Sequence, residues 1–360
     1  MAATTVIPFG PQHPVLPEPI HLKLELQDET VISAAPQIGY VHRGIEKAAE
    51  LREFSSNVFL VERICGICSF THALAFCQTM EDLMKIEVPD RANFLRVVWA
   101  ELSRIHSHLL ILGLLADAYG YESLFMQCWK VRETIVDLME KTAGARVIVS
   151  SCTIGGVRRD ISPELAEETI RTLKALKPDV DRVCGVFEND RSARKRQIGV
   201  GPLSKEQAFL TGAVGPVLRG SGHADDARMS GYAAYGQLGF EPVVETGGDT
   251  HARTMVRVRE IYQSIDLIIR AFERMPEGDI QAKVRGNPPQ AEAFGRVEAP
   301  RGELLYYIKG NGTKNLERLR VRTPTYTNIP PMLAMLPGME LADVPVIVVS
   351  IDPCISCTER

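Results

Sequence analysis

Two pairs of cysteines, one near each end of this 360-residue chain, have the spacing of metal ligands. Cys65 and Cys68 form one C-x-x-C, and Cys354 and Cys357 form the other. This spacing lets two thiolates from one tight turn converge on a single metal centre. Almost the whole chain lies between the two pairs. They can share a metal only if the fold brings its two ends together, and we expect that it does.

Four thiolates suit a soft metal, and the spacing alone leaves three kinds of site open: zinc, an iron–sulfur cluster, and a catalytic centre of nickel with iron. In structural zinc sites the two pairs usually lie about 15–20 residues apart, because such sites staple small modules. The separation here is far larger, and a chain of this length can bury a core without a staple. Four further cysteines stand alone and are expected to be buried core thiols, namely Cys77, Cys128, Cys152 and Cys184.

The composition is that of an ordinary globular protein, with 45% hydrophobic residues, 24% charged residues and a formal net charge of −4. This balance gives no reason to expect binding to nucleic acid or to an acidic membrane surface. The N-terminus shows no basic segment followed by an apolar stretch, so we expect no secretory signal. The longest apolar run, Leu109 to Ala116, is far shorter than the roughly 20 residues of a membrane span. We therefore expect a soluble or peripheral chain.

The elements that must position the cysteines fall into an α+β pattern within a single domain, residues 1–360. Residues 1–42 are expected to be rich in strands, because Leu22, Leu24 and Leu26 alternate with polar residues and a turn at Asp28 predicts a hairpin. Helix is expected to dominate residues 43–198 and to return at residues 254–275. The predicted helices cover residues 44–55, 91–118, 122–142, 162–176 and 254–275. Such apolar helices cannot stand alone, so they predict an antiparallel bundle.

Helix ends and the remaining segments are predicted from local signals. Ser162 followed by proline is a helix start, and Pro178 is expected to end that helix. Residues 199–253 are rich in glycine and are expected to be irregular, with a short helix near Ser204. The C-terminal region, residues 278–360, is expected to be extended and to return the second cysteine pair to the bundle. Within it the sequence predicts strands at residues 304–308 and 344–351.

The residues that flank the cysteines are more specific than the spacing. The stretches Arg-x-Cys-Gly-x-Cys and Asp-Pro-Cys-x-x-Cys-x-x-Arg resemble the paired signatures of the large, catalytic subunit of nickel–iron hydrogenases. The resemblance implies that Cys65 and Cys354 are terminal ligands of nickel, and that Cys68 and Cys357 bridge nickel to iron. It also implies carbonyl and cyanide ligands on the iron.

Three other stretches, residues 10–14, 39–47 and 215–222, resemble the quinone-site 49 kDa subunit of respiratory complex I. Together the two resemblances match the membrane-bound, energy-converting hydrogenases (Ech type), whose large subunits share ancestry with complex I. The match extends from about residue 8 to the last residue. It implies the nickel–iron hydrogenase large-subunit fold and the reversible reaction 2H⁺ + 2e⁻ ⇌ H₂.

Partners follow from the same resemblance. The remaining cysteines are too scattered to hold an iron–sulfur cluster, and no Gly-rich nucleotide-binding motif is present, so we expect neither a cluster nor a flavin in this chain. Electrons would then leave through a small subunit with a 4Fe–4S cluster, served by a ferredoxin-like iron–sulfur subunit, with ferredoxin, protons and H₂ as substrates. Integral, ion-pumping subunits would hold the chain at the cytoplasmic face of the cell membrane.

The resemblance also assigns roles to residues beyond the four cysteines. Cys354 is expected to accept the first proton from H₂ and Glu18 the next, since a carboxyl near a thiolate suits proton transfer. His72 is expected to tune a bridging sulfur by hydrogen bonding. Arg301 is expected to overhang the open metal position, where it polarises H₂ and donates to cyanide. Thr325 aligns with a hydroxyl that bonds cyanide.

Glu46 matches a carboxylate that helps many relatives hold a magnesium or iron ion with a C-terminal histidine. This chain shows no histidine after Cys357, which argues against the additional ion and leaves Glu46 as a helix-capping charge or a proton relay. Three rival functions stay open. They are a soluble hydrogenase linked to deazaflavin or NAD, a metal-free quinone-site subunit of the complex I type, and a zinc-stapled binding protein.

Overall fold

Three small antiparallel sheets flank a bundle of long helices in the computed structural model, which describes residues 4–360. The strands are β1 (Thr4–Phe9), β2 (His21–Gln27), β3 (Thr30–Gln37), β4 (Cys152–Thr153), β5 (Gly156–Val157), β6 (Glu292–Ala299), β7 (Gly302–Gly310) and β8 (Leu316–Arg322). They pair in the orders β1-β2-β3, β4-β5 and β6-β7-β8. This arrangement confirms the predicted α+β class.

Helices follow the first sheet and make up most of the chain. They are α1 (Ile45–Glu50), α2 (Asn57–Glu62), α3 (Ser69–Met84), α4 (Asp90–Ala118), α5 (Glu122–Ala143), α6 (Pro163–Asn189), α7 (Arg191–Lys195), α8 (Lys205–Leu210), α9 (Pro216–Arg219), α10 (Thr250–Arg274), α11 (Pro324–Met335), α12 (Val344–Ser350) and α13 (Ile355–Thr358). Within residues 4–360 no helix has both the length and the apolar character needed to cross a bilayer.

The predicted N-terminal hairpin is confirmed as β2 and β3. Leu22, Leu24 and Leu26 are all buried, as their alternation requires, and Leu26 pairs with Val31 across the turn. The structure adds β1 as a third strand on the other edge of β2. Prolines between β1 and β2 keep that connection out of helix, and the connection places Glu18 immediately before β2.

Helix α4 is the centre of the bundle and packs against α5, α10 and α12. It is buried on nearly every side, so its apolar residues are not confined to one stripe, and it also buries charged residues such as Glu101 and Arg104. Trp99 of α4 donates a hydrogen bond to Thr142 of α5 at 3.2 Å. The helices predicted at residues 91–118, 122–142 and 254–275 are confirmed, with ends that differ by at most a few residues.

Two predictions about helix ends are wrong. Helix α6 does not stop before Pro178 but continues to Asn189, because Val180, Val183 and Phe187 extend its buried stripe and packing outweighs the lost hydrogen bond. The helix predicted over residues 44–55 ends at Glu50. Asn57 donates to the carbonyl of Ala49 at 2.8 Å, and the chain then turns towards β8.

The strand predicted at residues 344–351 is also wrong, since residues 344–350 form helix α12. The run is rich in valine and isoleucine, which favours a strand in isolation. Six of its seven residues are buried, between α4, α10 and α11, and Pro345 stands in the first helical turn. The predicted strand at residues 304–308 lies within β7, and the short helix after Ser204 is confirmed as α8 with a capping box. The sequence analysis treats the chain as a single domain and divides it into segments. That division stays a prediction.

Candidate metal centre

The two cysteine turns meet inside the protein. The first lies between α2 and α3, and the second follows α12, with Cys354 as the N-cap of α13 and Cys357 within that helix. The sulfur of Cys65 is 3.3 Å from that of Cys354, and the sulfur of Cys68 is 3.3 Å from that of Cys357. The sulfurs of Cys65, Cys68 and Cys357 all lie within 4.8 Å of one another. All four thiols are buried, so the turns form one four-sulfur site.

The segment after β3 ties the two turns together. Arg43 donates to the carbonyls of Arg63 and Ile64 beside the first pair, at 3.0 and 2.7 Å, and to the carbonyl of Ser356 within the second pair, at 3.0 Å. The carboxylate of Glu359 accepts hydrogen bonds from the N–H groups of residues 39 and 41 in the same segment. One guanidinium thus spans both turns, which gives residues 39–47 a structural role that the sequence did not reveal.

Neighbouring groups shift the pKa values of Cys65 and Cys357 in opposite directions. Hydrogen bonds from the other three cysteines, Cys354 first, hold the pKa of Cys65 well below its usual range. Burial and the neighbouring sulfurs hold the pKa of Cys357 well above it. Four adjacent sulfurs cannot all ionise unless a positive charge lies among them, and a metal ion supplies that charge. The donor set therefore fits a soft metal bound by four thiolates.

A cavity of about 280 Å³ lies against one side of this site. It touches Cys65 and Cys354 but not Cys68 or Cys357. A structural zinc site is closed by its ligands, whereas a catalytic metal keeps one position open. The cavity therefore favours a catalytic metal with its open position on the side of Cys65 and Cys354. The rest of its wall is mostly apolar and is formed by Ile67, Leu110, Leu114 and Trp129 among others.

Glu18 lies between this cavity and a second one. It lines the inner cavity beside Cys354, and it also lines an outer cavity of about 500 Å³ formed by residues 11–19. Its carboxylate accepts hydrogen bonds from the N–H groups of Ile355 and Ser356 and from the Ser356 hydroxyl. The Ser356 hydroxyl oxygen is 3.6 Å from the sulfur of Cys354. Sulfur, hydroxyl and carboxylate thus form a continuous polar row towards the surface.

Arg301 lies at the same cavity and is paired with Asp352. Its Nε donates to the Asp352 carbonyl at 2.9 Å, and its Nη2 is 2.8 Å from the Asp352 carboxylate. Its Nη1 has no hydrogen-bond partner among the residues that the structure describes. Asp352 has a backbone φ of 59°, an uncommon value for a residue other than glycine. The pair holds a guanidinium with one free donor against the site.

His72 contacts the sulfur site at Cys357, away from the cavity. Its Nε2 is 3.4 Å from the sulfur of Cys357 rather than that of Cys68, and its Nδ1 is 2.8 Å from the hydroxyl of Tyr306. Burial lowers the pKa of His72 to about 4, so the imidazole is neutral at pH 7. Burial also raises the pKa of Tyr306 well above its usual value, so the phenol keeps its proton. The consistent assignment is that Tyr306 donates to Nδ1 and that Nε2–H donates to the Cys357 sulfur.

The last two predicted site residues lie at the edges of the centre. The hydroxyl of Thr325 accepts a hydrogen bond from the Cys354 N–H at 3.1 Å, so it positions that cysteine. Glu46 binds Arg320 at 3.0 Å, Arg360 at 3.1 Å and the N–H of residue 321 at 3.0 Å. The Glu46 carboxylate is therefore paired with two arginines.

Sequence reasoning missed several residues of the centre. They are Arg43, Tyr306, Asp352, Ser356 and Glu359. Asp352 and Ser356 stand inside the second cysteine motif, so the motif itself carried a signal for them. Tyr306 lies within the predicted strand at residues 304–308, and nothing local distinguishes it. The lone cysteines Cys77, Cys128, Cys152 and Cys184 are buried and free, as predicted.

Comparison with known proteins places this geometry in a family. Residues 43–116 match the model for nickel-dependent hydrogenases. Residues 118–287 and 283–360 match the model for the 49 kDa subunit of the respiratory-chain NADH dehydrogenase. The segment that holds the first cysteine pair thus matches one of the two families that the motifs resemble, and the segment that holds the second pair matches the other.

Full-length relatives agree. The carbon monoxide-induced hydrogenase of Rhodospirillum rubrum is 41% identical, over 99% of this chain and 100% of its own length. The membrane-bound hydrogenase subunit alpha of Pyrococcus furiosus is 39% identical, over 98% of this chain and 87% of its own. A chain of the membrane-bound sulfane sulfur reductase, an archaeal respiratory membrane complex, superposes with a TM-score of 0.94 at 30% identity, covering 99% of this chain and 98% of that one. This chain belongs to the family of membrane-bound hydrogenase large subunits, which also includes the 49 kDa subunits of respiratory complex I.

Proposed function

We propose that this chain is the catalytic subunit of a nickel–iron hydrogenase that carries out 2H⁺ + 2e⁻ ⇌ H₂. Cys65 and Cys354 would be terminal nickel ligands, and Cys68 and Cys357 would bridge nickel to an iron that carries carbonyl and cyanide. The observation that carries the proposal is the four-sulfur site with a cavity on its Cys65 and Cys354 side only. A metal bound there has the open position that a substrate as small as H₂ needs.

When bound, the metal centre would supply the cleavage of H₂ into two protons and two electrons. The chain's own residues would move each proton. Cys354 holds it at Sγ, the Ser356 hydroxyl receives it while donating its own proton, and Glu18 accepts that proton beside the outer cavity. A carboxyl at hydrogen-bond distance from its donor can serve as general base and then as general acid for the reverse reaction.

Arg301 would act on the open side of the centre. Two nitrogens of its guanidinium, Nε and Nη2, contact Asp352. The third, Nη1, has no hydrogen-bond partner among the described residues. A fixed positive group at the cavity can polarise H₂ or donate to an iron-bound cyanide without reorganising. The Asp352 pair would hold it in that position.

Electrons would leave through partner subunits. Within residues 4–360, the sulfur site is the one group of cysteine, histidine and acidic side chains close enough to hold a metal. The proposal therefore includes a small subunit with a 4Fe–4S cluster, a ferredoxin-like iron–sulfur subunit with ferredoxin as donor, and membrane subunits that pump ions. The relatives are subunits of membrane-bound hydrogenases and of a respiratory membrane complex, which supports attachment through membrane partners. The cytoplasmic face of the membrane is part of the proposal.

Infrared spectroscopy of the purified complex, with nickel and iron quantified on the same sample, tests the proposal. We expect carbonyl and cyanide bands, with one nickel and one iron bound per chain at this site. Zinc in place of nickel, without those bands, would contradict it. A complex with no metal at the cysteines that still reduces quinone would instead identify a subunit of the complex I type.

Replacing Ser356 with alanine should slow turnover without loss of metal. The change removes the hydroxyl between Cys354 and Glu18 but leaves both N–H contacts to the Glu18 carboxylate. We expect turnover to fall about tenfold, the effect of one hydrogen bond to a charged group, and Ser356→Thr to restore part of it. The matched control is Ser33→Ala, since Ser33 donates to Glu25 at 2.7 Å far from the site. Equal rates for S356A and the natural protein would remove Ser356 from the path.

Replacing Tyr306 with phenylalanine should alter the spectrum of the metal centre more than its stability. The hydroxyl that fixes the His72 tautomer is lost, so the hydrogen bond to the Cys357 sulfur changes. We expect shifted infrared bands, unchanged metal content, and a loss of about 1 kcal/mol in the free energy of unfolding. Tyr307→Phe is the control, because that exposed hydroxyl donates only to Glu292. A spectrum identical to that of the natural protein would contradict the assignment.

A further inference from the structure

A second buried polar cluster joins α4, α9, α10 and β6, and none of its side chains lines the cavity at the sulfurs. We name it the carboxylate–arginine cluster. Every member is at most 3% exposed. Its members are Glu101, Arg104, His108, Arg219, Asp226, Arg228, Glu260 and Glu298.

Two arginines connect the four carboxyl groups. Arg219 is 2.8 Å from Glu260, 2.8 Å from Glu298 and 3.1 Å from Asp226. Arg228 is 2.7 Å from Asp226, 3.2 Å from Glu260 and 3.4 Å from Glu101. Both arginines therefore contact Asp226 and Glu260. A change of charge on one of these groups affects all the others.

The cluster has more acids than bases. It contains four carboxyl groups and three guanidinium groups, the third being Arg104 at 3.2 Å from Glu101. Burial lowers the pKa of His108 to about 4, so its imidazole is neutral and donates to Glu260 at 2.7 Å. The next guanidinium, that of Arg257, makes no ion pair within the described residues; it donates to the carbonyl of Arg253 and interacts at longer range with Asp352 first and with Glu260 second. With all four carboxyls ionised, the four buried negative charges would have only three guanidinium groups in direct contact, which is unfavourable. This balance favours a state in which one carboxyl holds a proton.

Glu298 is the carboxyl with the fewest charged partners. It accepts from Arg219 at 2.8 Å and from the N–H of Ala227 at 3.1 Å. Burial, followed by repulsion from Asp226, raises the pKa of Glu298 to about 7. For Glu101, Asp226 and Glu260 the arginines overcome the effect of burial and lower the pKa. The proton therefore belongs on Glu298.

A small cavity gives this carboxyl access to solvent. It has a volume of about 40 Å³, enough for a water molecule, and both Glu298 and Asp226 line it. The exposed Asp225 and the partly exposed Glu303 line the same cavity. The charged and titratable groups around Glu298 are Arg104, Arg219, Asp225, Asp226, Arg228, Tyr232, Glu260 and Glu303.

We propose that the carboxylate–arginine cluster is an internal proton-binding site, in which Glu298 holds one proton and exchanges it with solvent through this cavity. In the exchange the carboxyl O–H bond breaks and the proton passes to water, with no change of oxidation state. The proposal does not depend on nickel or iron. It gives the chain a second place to take up or release a proton, apart from the row through Glu18.

Infrared titration of the intact complex, read at the carbonyl stretch of protonated carboxyl groups, tests the proposal. The natural protein should show a buried carboxyl band that shifts in D₂O and disappears with a midpoint near pH 7. E298Q should lack the band. D226N should lower the midpoint, because it removes a negative neighbour of Glu298. E303Q is the matched control, since Glu303 lines the same cavity, and it should keep the band. A band that survives E298Q, or no band that titrates between pH 5 and 9, would overturn the proposal.

The pH dependence of stability provides a second readout. A carboxyl whose pKa rises from 4.5 in the unfolded chain to about 7 in the folded protein binds more protons when folded. The free energy of unfolding should therefore fall as pH rises between these values. E298Q should remove that part of the fall, and above pH 7 it should be at least as stable as the natural protein. A strongly destabilised E298Q with an unchanged slope would mean that Glu298 is a permanently ionised partner of Arg219, which contradicts the proposal.

Discussion

Cys357→Ala is expected to remove the metal and all hydrogenase activity. The sulfur of Cys357 lies 3.3 Å from that of Cys68 and 3.4 Å from His72, so it contacts both another cysteine of the site and the imidazole behind it. Loss of a residue that only supports a ligand costs roughly 10–100-fold in metal affinity or activity, and loss of the ligand itself costs more. We expect activity to fall by more than about a hundredfold, to background.

The measurement is the nickel and iron content of the purified complex, together with its H₂ production. Cys128→Ala is the matched control, because Cys128 is a buried lone thiol on α5. It should cost only the packing of one small side chain and keep both metals. Full metal content in Cys357→Ala, with intact infrared bands, would remove Cys357 from the ligand set. Loss of assembly with the partner subunits in both variants would indicate a folding defect instead.

Glu18→Gln is expected to stop proton transfer while leaving the metal centre intact. Glutamine keeps an oxygen that can accept from the N–H groups of Ile355 and Ser356, so the second cysteine turn should hold its conformation. It cannot accept and release a proton. Removal of a positioned acid–base group typically costs 10²- to 10⁴-fold, so turnover should fall by about that factor.

The decisive comparison is turnover against the infrared spectrum. Rates should collapse while carbonyl and cyanide bands and metal content stay as in the natural protein, and Glu18→Asp should recover part of the rate. Glu25→Gln is the control, since Glu25 also accepts from a serine, at 2.7 Å, but lies in the N-terminal sheet. If the rate of Glu18→Gln were unchanged, protons would use another route. If its metal were lost, Glu18 would be a structural support for the second cysteine turn.

The variants at Cys357 and Glu18 test two separate requirements for activity. Cys357 tests whether the ends of the chain close around a metal. Glu18 tests whether the row of Cys354, Ser356 and Glu18 connects the inner cavity to the outer one. An active enzyme needs both, because every turnover moves charge and protons through a site that is otherwise sealed by buried side chains.

Local signals in the sequence were enough for the long helices and the first hairpin. Helices α4, α5 and α10 follow from their long apolar helical stretches, and the alternating leucines of β2 follow from a period of two. The cysteine spacing was equally local. A C-x-x-C turn presents two sulfurs wherever it folds, so the ligand pairs could be predicted before the fold was known.

Tertiary packing decided the rest. The valine-rich run at residues 344–350 became a helix because it is enclosed between α4, α10 and α11, and α6 passed through Pro178 because its buried stripe continues. Arg43, Tyr306 and the carboxylate–arginine cluster show the same limit. Their roles arise from contacts between residues that are distant in sequence, such as Arg43 with Ser356. A sequence determines by itself what nearby residues do to one another, but only the folded chain decides which distant charges and sulfurs come within hydrogen-bonding distance.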